Sequence, residues 1–174
     1  MEFLFYCRDK PDVAALLERN VEAHWSFMDG YADRLLTRGP TLSDDGEEHT
    51  GSLHIVRLSG VAETEIFAYQ EPFYRAGVYG SVTILRWQDK LGRSIRDFQP
   101  LSDDPLFLVI GPGTPDLARL RDRSAAYGWT KAIGQTAWTG FAAILQAPSR
   151  DTIDTLLTYT PAAEIRRWRV GGRP

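Results

Sequence analysis

With 174 residues, 23 acidic against 20 basic side chains and a net charge of −3, the chain has no basic field for a phosphate backbone. That argues against nucleic acid as a partner, despite the local run Arg166-Arg167-Trp168-Arg169. No run of about 18 apolar residues exists to cross a membrane, and Glu2 before a short apolar stretch is the wrong opening for a signal peptide, so a cytoplasmic protein is expected. The single cysteine, Cys7, has no disulfide partner and reads as a small buried hydrophobe.

Residues 2–7 are apolar on both alternating faces, as in a strand covered on both sides. Asp9 is placed to cap a helix whose first turn holds Pro11 and Asp12. Val13, Leu17, Val21, His24, Met28, Tyr31 and Leu35 then recur at spacings of three and four, and His24 is the titratable group in that stripe. Gly39-Pro40 ends the helical pattern, and Ser43-Asp44-Asp45-Gly46-Glu47-Glu48 is a turn or loop. A strand at about 51–58, a helix over 62–70 with Ile66 and Phe67 inward, and a strand over 81–87 complete the order β-α-β-β-α-β. That order closes as an antiparallel sheet with both helices on one face.

Residues 89–105 are polar and lack an apolar period, so they read as a linker between a unit at 1–88 and a second at 106–174. The pattern restarts in the second unit: 106–111 is strand-like, and Thr114-Pro115-Asp116 opens a helix bearing Leu117, Leu120 and Tyr127. Lys10 to Leu16 resembles Thr114 to Leu120, Gly51 to Pro72 lies without a gap on Gly140 to Pro161, and Arg86-Trp87 returns as Arg167-Trp168. An internal duplication accounts for this. The fold expected is α+β, with two tandem β-α-β-β-α-β units packed sheet against sheet as an intramolecular pseudo-dimer. Phe3, Phe5, Val82 and Ile84 would be the apolar side chains that need the other sheet. A monomer with a pseudo-dimeric core, or a homodimer of such monomers, follows.

The second copy has Phe141 in place of Ser52, and it lacks the acidic loop and the segment 74–81. One working half and one structural half are therefore expected. In the first half, His24 suits proton transfer at neutral pH, with Glu71, Asp44 and Asp45 as candidate partners. Taken alone, a histidine on an apolar helix face is more commonly a buried residue bonded to backbone. Gly51 and Ser52 at a strand start offer an N–H and a hydroxyl to a ligand oxygen, and Tyr79 offers a phenol. No metal is expected: the three histidines lack the i, i+4 helical spacing, and His49 and His54 would lie on opposite faces of a continuous strand. Neither a phosphate-cradling glycine loop nor a nucleophile elbow is present.

Four stretches carry a resemblance: His24 in the first helix, Leu35-Leu36-Thr37-Arg38-Gly39-Pro40, Thr50-Gly51-Ser52, and Glu71-Pro72-Phe73-Tyr74-Arg75-Ala76-Gly77-Val78-Tyr79. Over residues 2–88 they are similar to the YCII-related family of ferredoxin-like proteins, in the dimeric α+β-barrel group. Glu71 stands where that family usually has Asp, and Val21-Glu22-Ala23 lacks the arginine-proline often found before the histidine. The resemblance implies a lyase or isomerase, working without cofactor on a small cyclic oxygenated substrate. His24 would be the general base or acid, Glu71 or Asp44 would orient it, and Ser52, Tyr79 and Gly51 would hold a substrate oxygen. A non-catalytic small-molecule or protein-binding module is the alternative. One open cleft lined by His24, Ser52, Glu71 and Tyr79 is expected, with its counterpart in the second half filled by Phe141 and Trp138.

Overall fold

The computed structural model describes residues 1–115, 117–157 and 163–173. Eight antiparallel strands close into one barrel in the order β1-β3-β2-β8-β5-β7-β6-β4. The first half supplies β1 (Glu2–Asp9), α1 (Ala14–Asp29), β2 (Leu35–Leu42), β3 (His49–Arg57), α2 (Val61–Tyr69), α3 (Pro72–Arg75) and β4 (Tyr79–Asp89). The second supplies β5 (Leu106–Pro112), α4 (Leu117–Leu120), β6 (Ser124–Ala132), β7 (Gly140–Gln146), α5 (Arg150–Leu156) and β8 (Glu164–Trp168). Within each half the first strand sits between the third and the fourth, and the second flanks the third. The halves are joined edge to edge, β2 to β8 and β4 to β6. Face-to-face packing of two separate sheets is therefore replaced by a closed barrel, which among the described residues leaves no sheet edge open.

Strand alternation decides what lies inside. Leu4 and Tyr6 point inward and meet Leu53, Ile55 and Trp87 from the first half, and Leu108, Ala142, Ile144 and Trp168 from the second. Phe3 and Phe5, one residue out of phase, point outward beneath α1 and α2 with Met28 and Phe67, and Val82 and Ile84 pack on that same side. The apolar residues expected to need the other half are thus the ones the helices cover. The seams match: the Trp168 ring of β8 packs on Gly39 of β2, and the Trp87 ring of β4 packs on Gly128 of β6. A Cβ at either glycine would overlap the ring.

Residues 89–105 are more than a polar spacer. They form a short helical turn at Ile95–Asp97, capped reciprocally by Ser94 and Asp97, and lay Ile95 and Phe98 on the barrel interior. The opposite end of the barrel is polar. There Glu164 accepts hydrogen bonds from Tyr6 at 2.8 Å and Arg8 at 2.6 Å, which ties the first strand to the last.

Several local expectations shift. Asp9 stays in β1 and caps nothing; Asp12 takes φ 58 and α1 starts after Val13 without a side-chain cap. That helix ends at Asp29, so Tyr31 lies beyond it and Leu35 to Leu42, Gly39-Pro40 included, is a strand. In α2 the inward residues are Thr64, Phe67 and Ala68, spaced i, i+3 and i+4 on one face, which leaves Ile66 exposed. In the second half α4 is only four residues and Tyr127 belongs to β6; Asp116 and Pro161 lie outside the described residues. No helix among the described residues is long and apolar enough to cross a membrane.

Candidate active site

A cavity of about 680 Å³ lies on the outside of the first half. Its walls are α1 with Leu17, Val21, His24 and Trp25, β2 with Arg38, Gly39 and Pro40, β3 with His49, Ser52 and His54, and Phe73 of α3. The tail after β8, Arg169 to Arg173, crosses from the second half and forms the last wall. It is held by hydrogen bonds from Arg169 N to Pro40 O at 3.3 Å and from Gly171 N to Arg38 O at 2.9 Å. Arg173 then reaches α1 at Glu22, Ser26 and Asp29.

Glu71 is the carboxylate that meets His24, with 2.5 Å between Oε1 and Nδ1. The pairing is built by local sequence. Glu71-Pro72 begins α3: proline fits its first turn, and Glu71 caps it by accepting from the Phe73 N–H at 3.0 Å and the Tyr74 N–H at 2.9 Å. The carboxylate is thereby fixed before it meets the imidazole, and its side chain is only 4% exposed. Phe73, next in the chain, stacks on the His24 ring at 4.2 Å between centroids. With Nδ1–H donated to Glu71, the Nε2 edge of a cavity-lining ring is left for a ligand.

Of the other sequence-predicted residues, Ser52 joins the cavity and the rest fall elsewhere. Asp44 is exposed, 3.8 Å from Arg150, because its loop leans toward the second half. Ser52 lines the cavity, but Tyr79 stands behind it: its hydroxyl donates to Ser52 Oγ at 3.4 Å and does not line the cavity. Burial, with Cys7 and Glu71 nearby, pushes the Tyr79 phenol well above its ordinary value, and burial does the same to the Cys7 thiol. Gly51 serves packing, since a Cβ there would strike the Cys7 carbonyl across the β1–β3 ladder. Phe141 is buried in the second half's outer core, whereas Trp138 is half-buried beneath Lys131 and plugs nothing.

Two histidines join the site unforeseen. Pairing of β2 with β3 skips Thr50, so the strand is bulged there and His49 changes phase. His49 and His54 therefore line the same cavity instead of opposite faces. His54 is buried, and desolvation, then the charges of His24, Arg38 and His49, hold it well below the usual histidine range, so its ring stays neutral. His49 Nδ1 lies 2.6 Å from Asp9 Oδ2. Among the described residues no three His, Cys, Asp or Glu side chains converge as a metal site.

Residues 1–88 match the YCII-related domain, half of the chain. The chain belongs to that family. A 5-chloro-2-hydroxyhydroquinone dehydrochlorinase from Burkholderia phenoliruptrix is 28% identical over 51% of this chain and 95% of its own, with a TM-score of 0.48. Across nearly the whole chain the fold is shared with a mutant chlorite dismutase from Candidatus Nitrospira defluvii, 8% identical over 97% of this chain and 90% of that one, TM-score 0.57. A putative monooxygenase from Lactobacillus acidophilus is 7% identical over 97% and 92%, TM-score 0.53. No curated protein matches the chain in sequence.

Proposed function

We propose that the chain is a proton-transfer enzyme, a lyase or isomerase acting on a small cyclic oxygenated substrate, with His24 as the base. The observation that carries this reading is the His24–Glu71 contact of 2.5 Å at the wall of a cavity sized for one small molecule. In the reaction His24 Nε2 takes a proton from a carbon beside a carbonyl. Glu71, held by two peptide N–H groups, keeps the ring in the tautomer that exposes Nε2 and stabilises the imidazolium that forms. Ser52 donates to the oxygen on which charge collects, while Trp25, Leu17 and Phe73 cover the apolar ring and exclude water.

The cavity is lined by residues of both halves of this chain, and the equal strand order of the two halves supports descent from a duplicated unit whose first copy kept the polar face. Exchange of α-carbon protons in D2O, followed by NMR over a panel of cyclic ketones, lactones and hydroxyquinones, tests the reading. His24→Ala should slow exchange about 10²–10⁴-fold and still bind the ligand. Exchange that is indifferent to His24→Ala would remove His24 as the base, and exchange no faster than in protein-free buffer would leave a binding protein with no turnover to lose.

A further inference from the structure

The cavity holds a second histidine–carboxylate pair. His49 lines it, its Nδ1 lies 2.6 Å from Asp9 Oδ2, and the Asp9 side chain is 4% exposed. Phe73 separates the two pairs: the His24 ring lies flat on it, and the His49 ring stands edge-on to it with centroids 6.3 Å apart. Among the described residues neither Nε2 has a hydrogen-bond partner.

The carboxylates differ in what already satisfies them. Glu71 accepts two peptide N–H groups besides His24. Asp9 Oδ1 is buried without a partner, so the charge of Asp9 is answered by His49. A helix cap explains Glu71 even if His24 did no chemistry. No such structural duty explains Asp9, which caps nothing and is buried against a histidine that faces the cavity.

We infer that His49, oriented by Asp9, is a second proton-transfer group of this cavity, and that the site moves a proton between two positions of one ring substrate. The inference rests on the His24 reading and narrows it to isomerisation of small β,γ-unsaturated cyclic ketones or lactones. His24 Nε2 takes the proton from the carbon between the carbonyl and the double bond, and the C–H pair moves into a dienolate whose charge sits on the oxygen facing Ser52. That charge returns to the carbonyl, the pair of the old double bond takes a proton from His49 Nε2 at its far carbon, and a conjugated double bond forms. Substrate and product have the same atoms. His24 ends with one proton more and His49 with one fewer, and solvent resets both.

The probe is cyclohex-3-en-1-one in D2O, with deuterium entry at C2 and conversion to the conjugated isomer followed by NMR in one sample. Exchange needs the first pair alone, whereas conversion needs both. His49→Gln and Asp9→Asn should each lower the ratio of conversion to exchange about tenfold or more, while His24→Ala loses both. The ratio is independent of how much protein is folded. A histidine 15N spectrum should show both Nε2 signals moving when cyclohexanone binds the unaltered protein. A ratio unchanged within about twofold in either variant, or no movement of the His49 signal, overturns the second pair and leaves His24 standing. Wild-type protein that neither exchanges nor converts the probe removes the His24 reading, and this inference with it.

Discussion

The two halves share an inside and differ on the outside. Trp87 and Trp168 both fill the barrel, each on a glycine of the other half, and Ile55 and Ile144 hold matching inward places. On the outside, the first half has Ser52 and His54 beneath a 16-residue helix, with a cavity between. The second half has Phe141 and Ala143 at those places, packed with Phe107, Val109, Leu145, Ile153 and Ile165. A barrel constrains whatever points into it, because both halves must fill one shared space at interior density. An outer face answers only to its own helix. A long helix standing off the sheet leaves room for polar groups, and a four-residue one does not.

The largest effect should come from giving the second half the first half's residue. Phe141→Ser should cost about 3–5 kcal/mol, as removal of a fully buried phenyl does, whereas Ser52→Ala should cost about 1 kcal/mol, since Ser52 has one long hydrogen bond from Tyr79. Denaturant unfolding monitored by tryptophan fluorescence measures both. A Phe141→Ser loss as small as that of Ser52→Ala would mean that the second outer face is no core. The seams should instead respond alike: a Cβ at Gly39 meets the Arg169 carbonyl and the Trp168 ring, one at Gly128 meets the Trp87 ring and the Gln88 carbonyl, and Gly39→Ala and Gly128→Ala should each cost about 1–3 kcal/mol. Unequal losses would break the likeness of the two seams.

Much of this was legible in sequence because period and punctuation are local. The strand–helix order of the first half, a second run of strands after a polar stretch, and Phe141 standing on β7 where β3 has Ser52 all read directly from residue spacing. Glu71 stood among the candidates for His24 but could not be chosen over Asp44, since the choice depends on α3 turning the carboxylate under α1 while the loop of Asp44 leans on Arg150. Asp9 looked like a helix cap and is a histidine's partner. His49 was hidden by a bulge at Thr50, which reverses face parity without any sequence mark other than Gly51. The tail that closes the cavity lies far from His24 in the chain, and no period links the two.

His54 tests whether the polar face carries a cost. Its folded-state proton affinity is depressed by desolvation and by neighbouring positive groups, so the unfolded chain binds a proton that the folded one refuses. Stability from this residue is complete above about pH 6.5 and falls as the pH drops below it, by at most about 1.4 kcal/mol per pH unit for one proton. His54→Ala, which installs the residue of the second half, should flatten the stability profile between about pH 6.5 and 5, whatever it does to the absolute value. An unchanged slope would show that His54 takes its proton in the folded state.

The smallest effect concerns the one place where the second half enters the first half's site. Arg173 makes three hydrogen bonds to α1 at 2.6 to 3.0 Å, yet its side chain is 43% exposed, and pairs so placed are screened by water and salt. Arg173→Ala should therefore leave the unfolding midpoint nearly where it is. What should change is local. The Gly171 N–H, bonded to Arg38 O, is protected only while the tail lies on β2, so its hydrogen exchange should quicken in the variant while amides of β1 and β3 keep their rates. Raising salt should quicken the same amide in the unaltered protein and do little in the variant. A Gly171 amide that exchanges equally slowly in both would show that the backbone bonds at Arg38 and Pro40 hold the cavity wall without help from charge.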